Sequence, residues 1–449
     1  MKLSVCLIVK NEERFLADCL SSVKDVADQI VVLDTGSEDR TREIARKFNA
    51  EVHTTAWQDD FSAARNESIQ YAKGDWILWL DADERLVLHE NSDIKKLLTK
   101  EDKPIAYNVQ IHNILPDGDN YKISHAHRLF RNGQSIRFSG RIHEQIAPSV
   151  SRLGGEERQC NLVIRHLGYA LEGDDRERKN KRNRKLLEKM VREAPQNAYA
   201  HYTLAQHYGV TGEPKKAARH YERALGLNQF SNRMTASLLN VMAENYLTLG
   251  ETEKARKRCL QSIRMVPHQS GGYYLLYRIE AQKGNWPEAE KRLLELKRHN
   301  AAIRGKEQRI ATDIHLSDDF IERLFIPVFF YQNKYEEVCQ SFAGLAEEIR
   351  SDNGLLALYS ESCLKLGRWE QAARALQKLY SGDPQTKYLK ALAVAYIKQQ
   401  KFREAINTYE RISALEPEDG DAIRRLAGLY GKIGQMEKSF YLLQKMKST

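Results

Sequence analysis

Toward the amino terminus, apolar runs of strand length alternate with stretches whose apolar positions recur at helical spacing. Leu3–Val9 is β-rich without strict alternation, the pattern of a strand covered on both faces. It ends at Lys10-Asn11-Glu12-Glu13, and Phe15, Leu16, Cys19, Leu20 and Val23 then share one face of a helix. Residues 30–33 read as the next strand. In the turn that follows, Asp34-Thr35-Gly36-Ser37, Gly36 permits a tight backbone and Ser37 is placed to cap a helix carrying Ile44, Ala45 and Phe48. A short strand over 51–55, an amphipathic helix over 61–71 and the run Trp76-Ile77-Leu78-Trp79-Leu80 complete the series. This order predicts an α/β domain with a parallel, Rossmann-like sheet, to which residues 105–111 and 121–131 add antiparallel strands.

In such a sheet, ligands bind beyond the carboxyl ends of the strands. Lys10 to Glu13, Asp34 to Asp39 and Asp81 to Glu84 are therefore expected to converge on one crevice. Asp81-Ala82-Asp83 carries the sharpest chemistry. Alternate side chains of an extended chain share a side, so both carboxylates would reach one divalent cation or its water. Hard oxygen ligands suit Mg²⁺ or Mn²⁺, which keep several waters and share their shell with substrate phosphates. Asp34 suits hydrogen bonding to a base or ribose, and Arg65-Asn66 would add contacts to the same ligand. The plain alternatives are a polar loop, a solvated helix face for Arg65 and a packing amide for Asn66. Neither GxGxxG after the first strand nor GxxxxGK[ST] occurs, so a dinucleotide fold and a phosphate-binding loop of that kind are not supported.

From Gly173 the chain changes character. Residues 174–185 are almost devoid of apolar side chains, and Leu186, Leu187 and Met190 then give an amphipathic pattern, so 173–196 reads as a solvated basic connecting helix. From Asn197 a repeat sets in. Leu204, Ala205, Tyr208, Gly212, Ala217, Tyr221 and Ala224 have the spacing of a tetratricopeptide unit, and the skeleton recurs around Gly250, Gly284, Gly367 and Gly434 with a period of about 34 residues. Residues 325–345 fit a degenerate unit and 300–318 an insertion. An all-α solenoid over 197–449 follows, with a concave face of the kind that holds peptides or proteins; the alternative is an array that only extends the protein or makes a homo-oligomer.

Composition narrows this picture without redirecting it. A chain of 449 residues is too long for one ordinary core. The net charge of +9 is spread along the whole length, which suits anionic ligands, and no basic motif of the nucleic-acid modules is present, so nucleic acid is not an expected partner. The six cysteines form no CxxC pair and point to a reducing compartment. The apolar run at the start is too short for a signal peptide or a membrane span, so a cytoplasmic protein without a transmembrane segment is expected.

The ordered motifs Val5-Cys6-Leu7-Ile8-Val9-Lys10-Asn11-Glu12-Glu13, Val32-Leu33-Asp34-Thr35-Gly36-Ser37-Glu38-Asp39, Phe61-Ser62-Ala63-Ala64-Arg65-Asn66 and Leu80-Asp81-Ala82-Asp83-Glu84 resemble the family 2 glycosyltransferases. The likeness is greatest to the bacterial branch in which that domain precedes helical repeats. The resemblance implies a glycosyltransferase A-type fold over 1–172, a nucleotide-diphosphate sugar donor, a divalent cation (Mn²⁺ or Mg²⁺) and inversion at the anomeric carbon. By position, Asp34 would contact the nucleoside, Asp81 the ribose or sugar, and Asp83 the metal bridging the diphosphate. Glu144, beside His143, matches a His-Glu element of this branch and is the candidate base, with a structural ion pair to Arg141 or Arg128 as its alternative. A late histidine often adds a metal ligand in this fold, which makes His166, or else His143, a candidate; Arg128, Arg131 and Arg137 would hold the diphosphate or the acceptor. The Gln-x-x-Arg-Trp motif and membrane helices of polysaccharide synthases are both missing, which argues against a processive enzyme. The expected activity is hexosyl or N-acetylhexosaminyl transfer to a peptide or protein side chain presented by the repeats. The alternatives are a cell-surface polysaccharide or lipid-linked acceptor, and a protein-binding scaffold with an inactive transferase domain.

Overall fold

The apolar runs near the amino terminus form the parallel half of a nine-stranded sheet. In the computed structural model, which describes residues 1–88, 94–115, 120–167, 174–303 and 310–448, β1 (Leu3–Val9) lies parallel between β2 (Gln29–Asp34) and β4 (Trp76–Leu80), and β3 (Glu51–Thr54) extends the set beyond β2. The crossovers are α1 (Leu16–Val23), α2 (Thr41–Lys47) and α3 (Phe61–Ser68). Past β4 the sheet turns antiparallel. β7 (Tyr121–Arg131) pairs with β4, β6 (Ile105–Ile114) with β7, β8 (Glu156–His166) runs parallel to β6, and β5 (Glu84–Val87) closes on β8. Two short helices, α4 (Ile94–Leu97) and α5 (Ala147–Arg152), lie among these strands in sequence.

Strand periodicity sorts the central side chains onto two faces. Val5, Leu7, Leu78 and Leu80 pack with Leu16, Cys19, Leu20 and Val23 of α1 in one core. Cys6, Ile77 and Trp79 point the other way, into a core with Phe130, Ile136, Phe138, Ile146 and Val150. Asp81 follows Trp79 by two residues and leaves the sheet on that second side. The turn after β2 differs from the sequence expectation: Ser37 does not cap α2, whose cap position is Arg40, but accepts a hydrogen bond from the Asn11 N–H at 2.9 Å and so ties the β1 and β2 ends together. All six cysteines are free thiols, five of them buried.

The chain divides into two compact units, residues 1–276 with 298–316, and residues 277–297 with 317–449. The first holds the sheet, α6 (Asp174–Glu193), and the helix pairs α7 (Ala198–Val210) with α8 (Pro214–Gly226) and α9 (Asn232–Thr248) with α10 (Thr252–Met265). α6 is not simply solvated: Leu186 and Leu187 are buried, and Glu193 and Lys185 pair with Arg141 and Asp59 of the α/β domain. Residues 312–315, within the stretch expected as an insertion, form β9 (Thr312–His315), which pairs antiparallel with Tyr121 to Ser124 of β7. Asp313 in that strand accepts the Ser270 and Gly271 N–H groups at 2.8 and 2.7 Å, at the start of α11 (Gly271–Gln282).

The remaining helices are α12 (Trp286–Ile303), α13 (Asp318–Tyr331), α14 (Tyr335–Gly344), α15 (Asn353–Lys365), α16 (Trp369–Gly382), α17 (Thr386–Lys398), α18 (Phe402–Leu415), α19 (Gly420–Lys432) and α20 (Met436–Ser448). Each hairpin turn holds one residue with positive φ. Gly212, Gly250, Gly284, Gly367 and Gly434 serve in five of them, and Asn333 and Gln400, both at φ 60°, stand in for glycine in the others. That substitution explains why the repeat over 325–345 looks degenerate in sequence. Among the described residues, no helix is long and apolar enough to cross a membrane.

Candidate active site

The site lies beyond the carboxyl ends of β1, β2 and β4. Register places Asp34 beside Val9 and Leu80 beside Leu7, so the turns after these strands emerge together. Asp34 is fully buried. Its Oδ1 accepts the Gly36 and Ser37 N–H groups at 3.0 and 2.9 Å, a turn that needs the φ of +108° which Gly36 supplies. Its Oδ2 has no hydrogen-bond partner among the described residues. A buried carboxylate oxygen without a donor is costly unless a ligand fills the place.

Asp81 is met by two guanidinium groups. Arg65, buried on α3, donates Nη2 to Asp81 Oδ1 at 2.7 Å and turns its Nε to Glu144. Arg128, from β7, donates Nη2 to Glu84 Oε1 at 2.6 Å and lies 3.6 Å from Asp81 Oδ2. Both guanidinium groups sit over Trp79, 3.8 and 3.4 Å from its ring centroid. Burial works against a charge at Asp81, but Arg65 and Arg128 outweigh it and hold the carboxyl well below the usual range. Burial pushes Glu84 the other way, above its ordinary value. Arg128 Nε and Nη1 are buried with no partner among the described residues.

Asp83 faces His166, whose Nε2 is 3.3 Å from Asp83 Oδ2 while its Nδ1 meets Asn113 Oδ1 at 2.8 Å. Burial alone would lower the imidazole pKa; the Asp83 carboxylate and its neighbours raise it instead. Glu12, from the β1 turn, is pushed up to about 7 by burial and then by the charge of Asp83. Among the described residues no three side chains of metal-ligating type gather into a preformed cage. The Asp83–His166 pair is a donor set that fits a cation sharing its shell with substrate phosphates.

Asn66 clamps the chain at Phe138, donating Nδ2 to its C=O at 2.9 Å and accepting its N–H at 2.8 Å. Glu144 lies six residues further on and is brought to Asp81 only through Arg65; its ionic partner is thus Arg65, neither Arg141 nor Arg128. Arg131 turns to the Asp75 C=O at the amino end of β4, and Arg137 to the C=O of Ile136, so of the three arginines only Arg128 joins the site. In the sequence Glu84 stands in the polar cluster after β4 with no role of its own assigned. The signal was present: Glu84 opens β5 and alternates with Asp83, so it turns to the opposite side, where Arg128 waits.

With this geometry the comparisons are informative. Residues 4–155 match the family described as Glycosyl transferase family 2, and residues 198–223 and 389–423 match tetratricopeptide repeat families. The chain carries a family 2 glycosyl transferase domain followed by tetratricopeptide repeats. It is similar to a TPR repeat-containing protein of Synechococcus elongatus, 37% identical over 230 residues that cover 50% of this chain and 56% of that one. It is also similar to the SPbeta prophage-derived glycosyltransferase SunS of Bacillus subtilis, 31% identical over 193 residues, 42% of this chain and 45% of that one. The chain spans about half the length of the curated relatives it matches. Among solved structures, the C-terminal part of a TPR repeat-containing protein from Cytophaga hutchinsonii aligns with a TM-score of 0.42 at 14% identity, over 55% of this chain and 95% of that one.

Proposed function

We propose that this protein is an inverting glycosyltransferase that moves a sugar from a nucleotide-diphosphate sugar to a peptide or protein side chain presented by its repeats. The observation that carries the reading is a set of buried groups without a hydrogen-bond partner among the described residues, Asp34 Oδ2 at the end of β2 and the Nε and Nη1 of Arg128, whose Nη2 lies 3.6 Å from Asp81 Oδ2. An open acceptor oxygen and open donor nitrogens are the chemistry that a nucleoside joined to phosphates would complement.

In this reading Asp34 accepts from the nucleobase or ribose, Asp81 orients the ribose or sugar, and Arg128 receives phosphate oxygen. Asn66 serves the donor by fixing the wall at Phe138, and Arg65 by holding Asp81 and Glu144. Asp83 and His166 would hold Mg²⁺ or Mn²⁺, which when bound neutralises the diphosphate as it departs. Glu144 takes the proton of the acceptor nucleophile as that atom bonds to the anomeric carbon, and the carbon–oxygen bond to the diphosphate breaks with its electron pair leaving on the nucleotide. The domain over 1–172 handles the donor and the array over 197–449 the acceptor. A screen of nucleotide sugars for metal-dependent hydrolysis, wild type against Asp83→Ala, tests the proposal; a wild type inert toward all of them would refute it.

A further inference from the structure

Trp79, next to last in β4, is 7% exposed and carries a planar cation on each face of its ring. The guanidinium carbons of Arg65 and Arg128 lie 3.8 and 3.4 Å from the ring centroid. Distances that short require each guanidinium to lie flat on the ring, and two flat groups so close on one face would overlap. The indole is therefore sandwiched between them. Its Nε1–H donates to the His127 C=O at 2.8 Å, one residue before Arg128, and Phe138 stands edge-on to it at 5.4 Å, so the ring is fixed in its plane.

The sandwich determines which donors the two cations have left. A guanidinium stacked on an aromatic ring keeps its N–H groups in its own plane, pointing outward from the stack. Arg65 gives its rim to two carboxylates, Asp81 at 2.7 Å and Glu144. Arg128 gives Nη2 to Glu84 at 2.6 Å, and its Nε and Nη1 are buried without a partner among the described residues. Asp81 spans the two layers, with Oδ1 on Arg65 and Oδ2 3.6 Å from Arg128. Attraction to the ring face offsets part of the cost of those buried, unmatched donors and leaves the donors themselves open.

We propose that Trp79 is a positioning residue for the sugar donor: its two faces hold Arg65 and Arg128 apart, so that Asp81 is shared between them and the Nε and Nη1 edge of Arg128 stays open to phosphate oxygen. The inference rests on Arg128 as the phosphate-binding group in the reading above. Trp79 acts through Arg128 rather than on the donor itself. Without the negative ring face, the Arg128 guanidinium is free to turn its open edge onto Asp81, 3.6 Å away, and the donors meant for phosphate are then occupied by a carboxylate.

Fluorination separates the charge of the ring face from its packing. Tetrafluorotryptophan placed at position 79 of the full chain keeps the shape of the indole and its N–H but removes the negative charge of the faces. Trp79→Leu removes the ring, and Trp79→Phe restores a face. Binding of inorganic diphosphate, UDP and GDP with Mg²⁺ is measured by calorimetry, together with uridine and guanosine, which carry no phosphate. The fluorinated protein is expected to bind diphosphate and the nucleotide about 2- to 30-fold more weakly than wild type, the range of a cation–π contact, and the matching nucleoside within about twofold. Trp79→Leu should lose at least as much, and Trp79→Phe should recover part of it. Diphosphate affinity equal to wild type in the fluorinated protein overturns the inference alone, even if Trp79→Leu is impaired or fails to fold, because packing then accounts for the ring. A loss as large for the nucleoside as for the nucleotide overturns it too. A wild type that binds neither diphosphate nor either nucleotide overturns the donor reading and this inference with it.

Discussion

Arg65 donates to Asp81 at 2.7 Å from a side chain only 5% exposed, so one buried guanidinium joins α3 to the turn after β4. The same group reaches Glu144, and it is the cation in direct ion-pair contact with both carboxylates. Arg65→Met would leave Asp81 and Glu144 facing each other without it. A loss of about 3–5 kcal/mol is expected, the cost of unpairing a buried ion pair, read from the urea midpoint.

Glu144→Gln keeps the shape and removes the proton acceptor. Transfer and donor hydrolysis should fall by about 10²–10⁴-fold, the usual worth of a general base, while nucleotide affinity stays near wild type. A change in affinity equal to the change in rate would remove Glu144 from the role of base.

Asp83→Ala is expected to lower donor hydrolysis by about 100-fold or more, and a chelator should do the same to the wild type. Full activity in chelator would remove the metal from the mechanism and leave Asp83 as a partner of His166 alone.

Asp34→Asn keeps its one oxygen on the Gly36 and Ser37 N–H groups and so puts an NH2 donor at the place where Oδ2 lies buried without a donor. Binding of UDP or GDP, measured by calorimetry, should weaken by about 10- to 100-fold, the range of a hydrogen bond to a charged group. Inorganic diphosphate should bind the variant and the wild type alike, because the role proposed for Asp34 is at the nucleoside end.

Asp313 gives a pH dependence remote from the site. Burial raises its carboxyl from 3.8 to about 6, against the three N–H groups it accepts. A raised folded value means that the native state binds the extra proton between these two limits. The stabilisation is therefore full below about pH 4 and lost as pH climbs through about 6, at up to about 3 kcal/mol for two pH units. Asp313→Asn should flatten that part of the stability profile; parallel profiles for the two proteins would refute the assignment.

The gathering of acidic strand ends is legible in the sequence, because apolar runs ending in acids are local signals. Asp34 ends β2 and Asp81-Ala82-Asp83 follows β4, and parallel pairing brings such ends together whatever the helices do. What the sequence hid depends on distant partners. Ser37 has the chemistry of a cap, yet Asn11 claims its hydroxyl. Residues 174–185 have the composition of a solvated helix, yet one with Leu186 and Leu187 behind it docks on the α/β domain. β9 is four residues long, too short for periodicity to announce, and exists because β7 offers it an edge.

That strand also sets an order of events at the ribosome. β7 ends at residue 131, but the chain that completes its pairing at residues 121–124 emerges only with residue 312. During synthesis the nascent sheet therefore waits with that edge of β7 open while α6 to α12 are made, a long interval in which an unpaired strand invites association with other chains. Charged and polar groups along that edge, Lys122 and Ser124 among them, are suited to keeping it in water until its partner arrives.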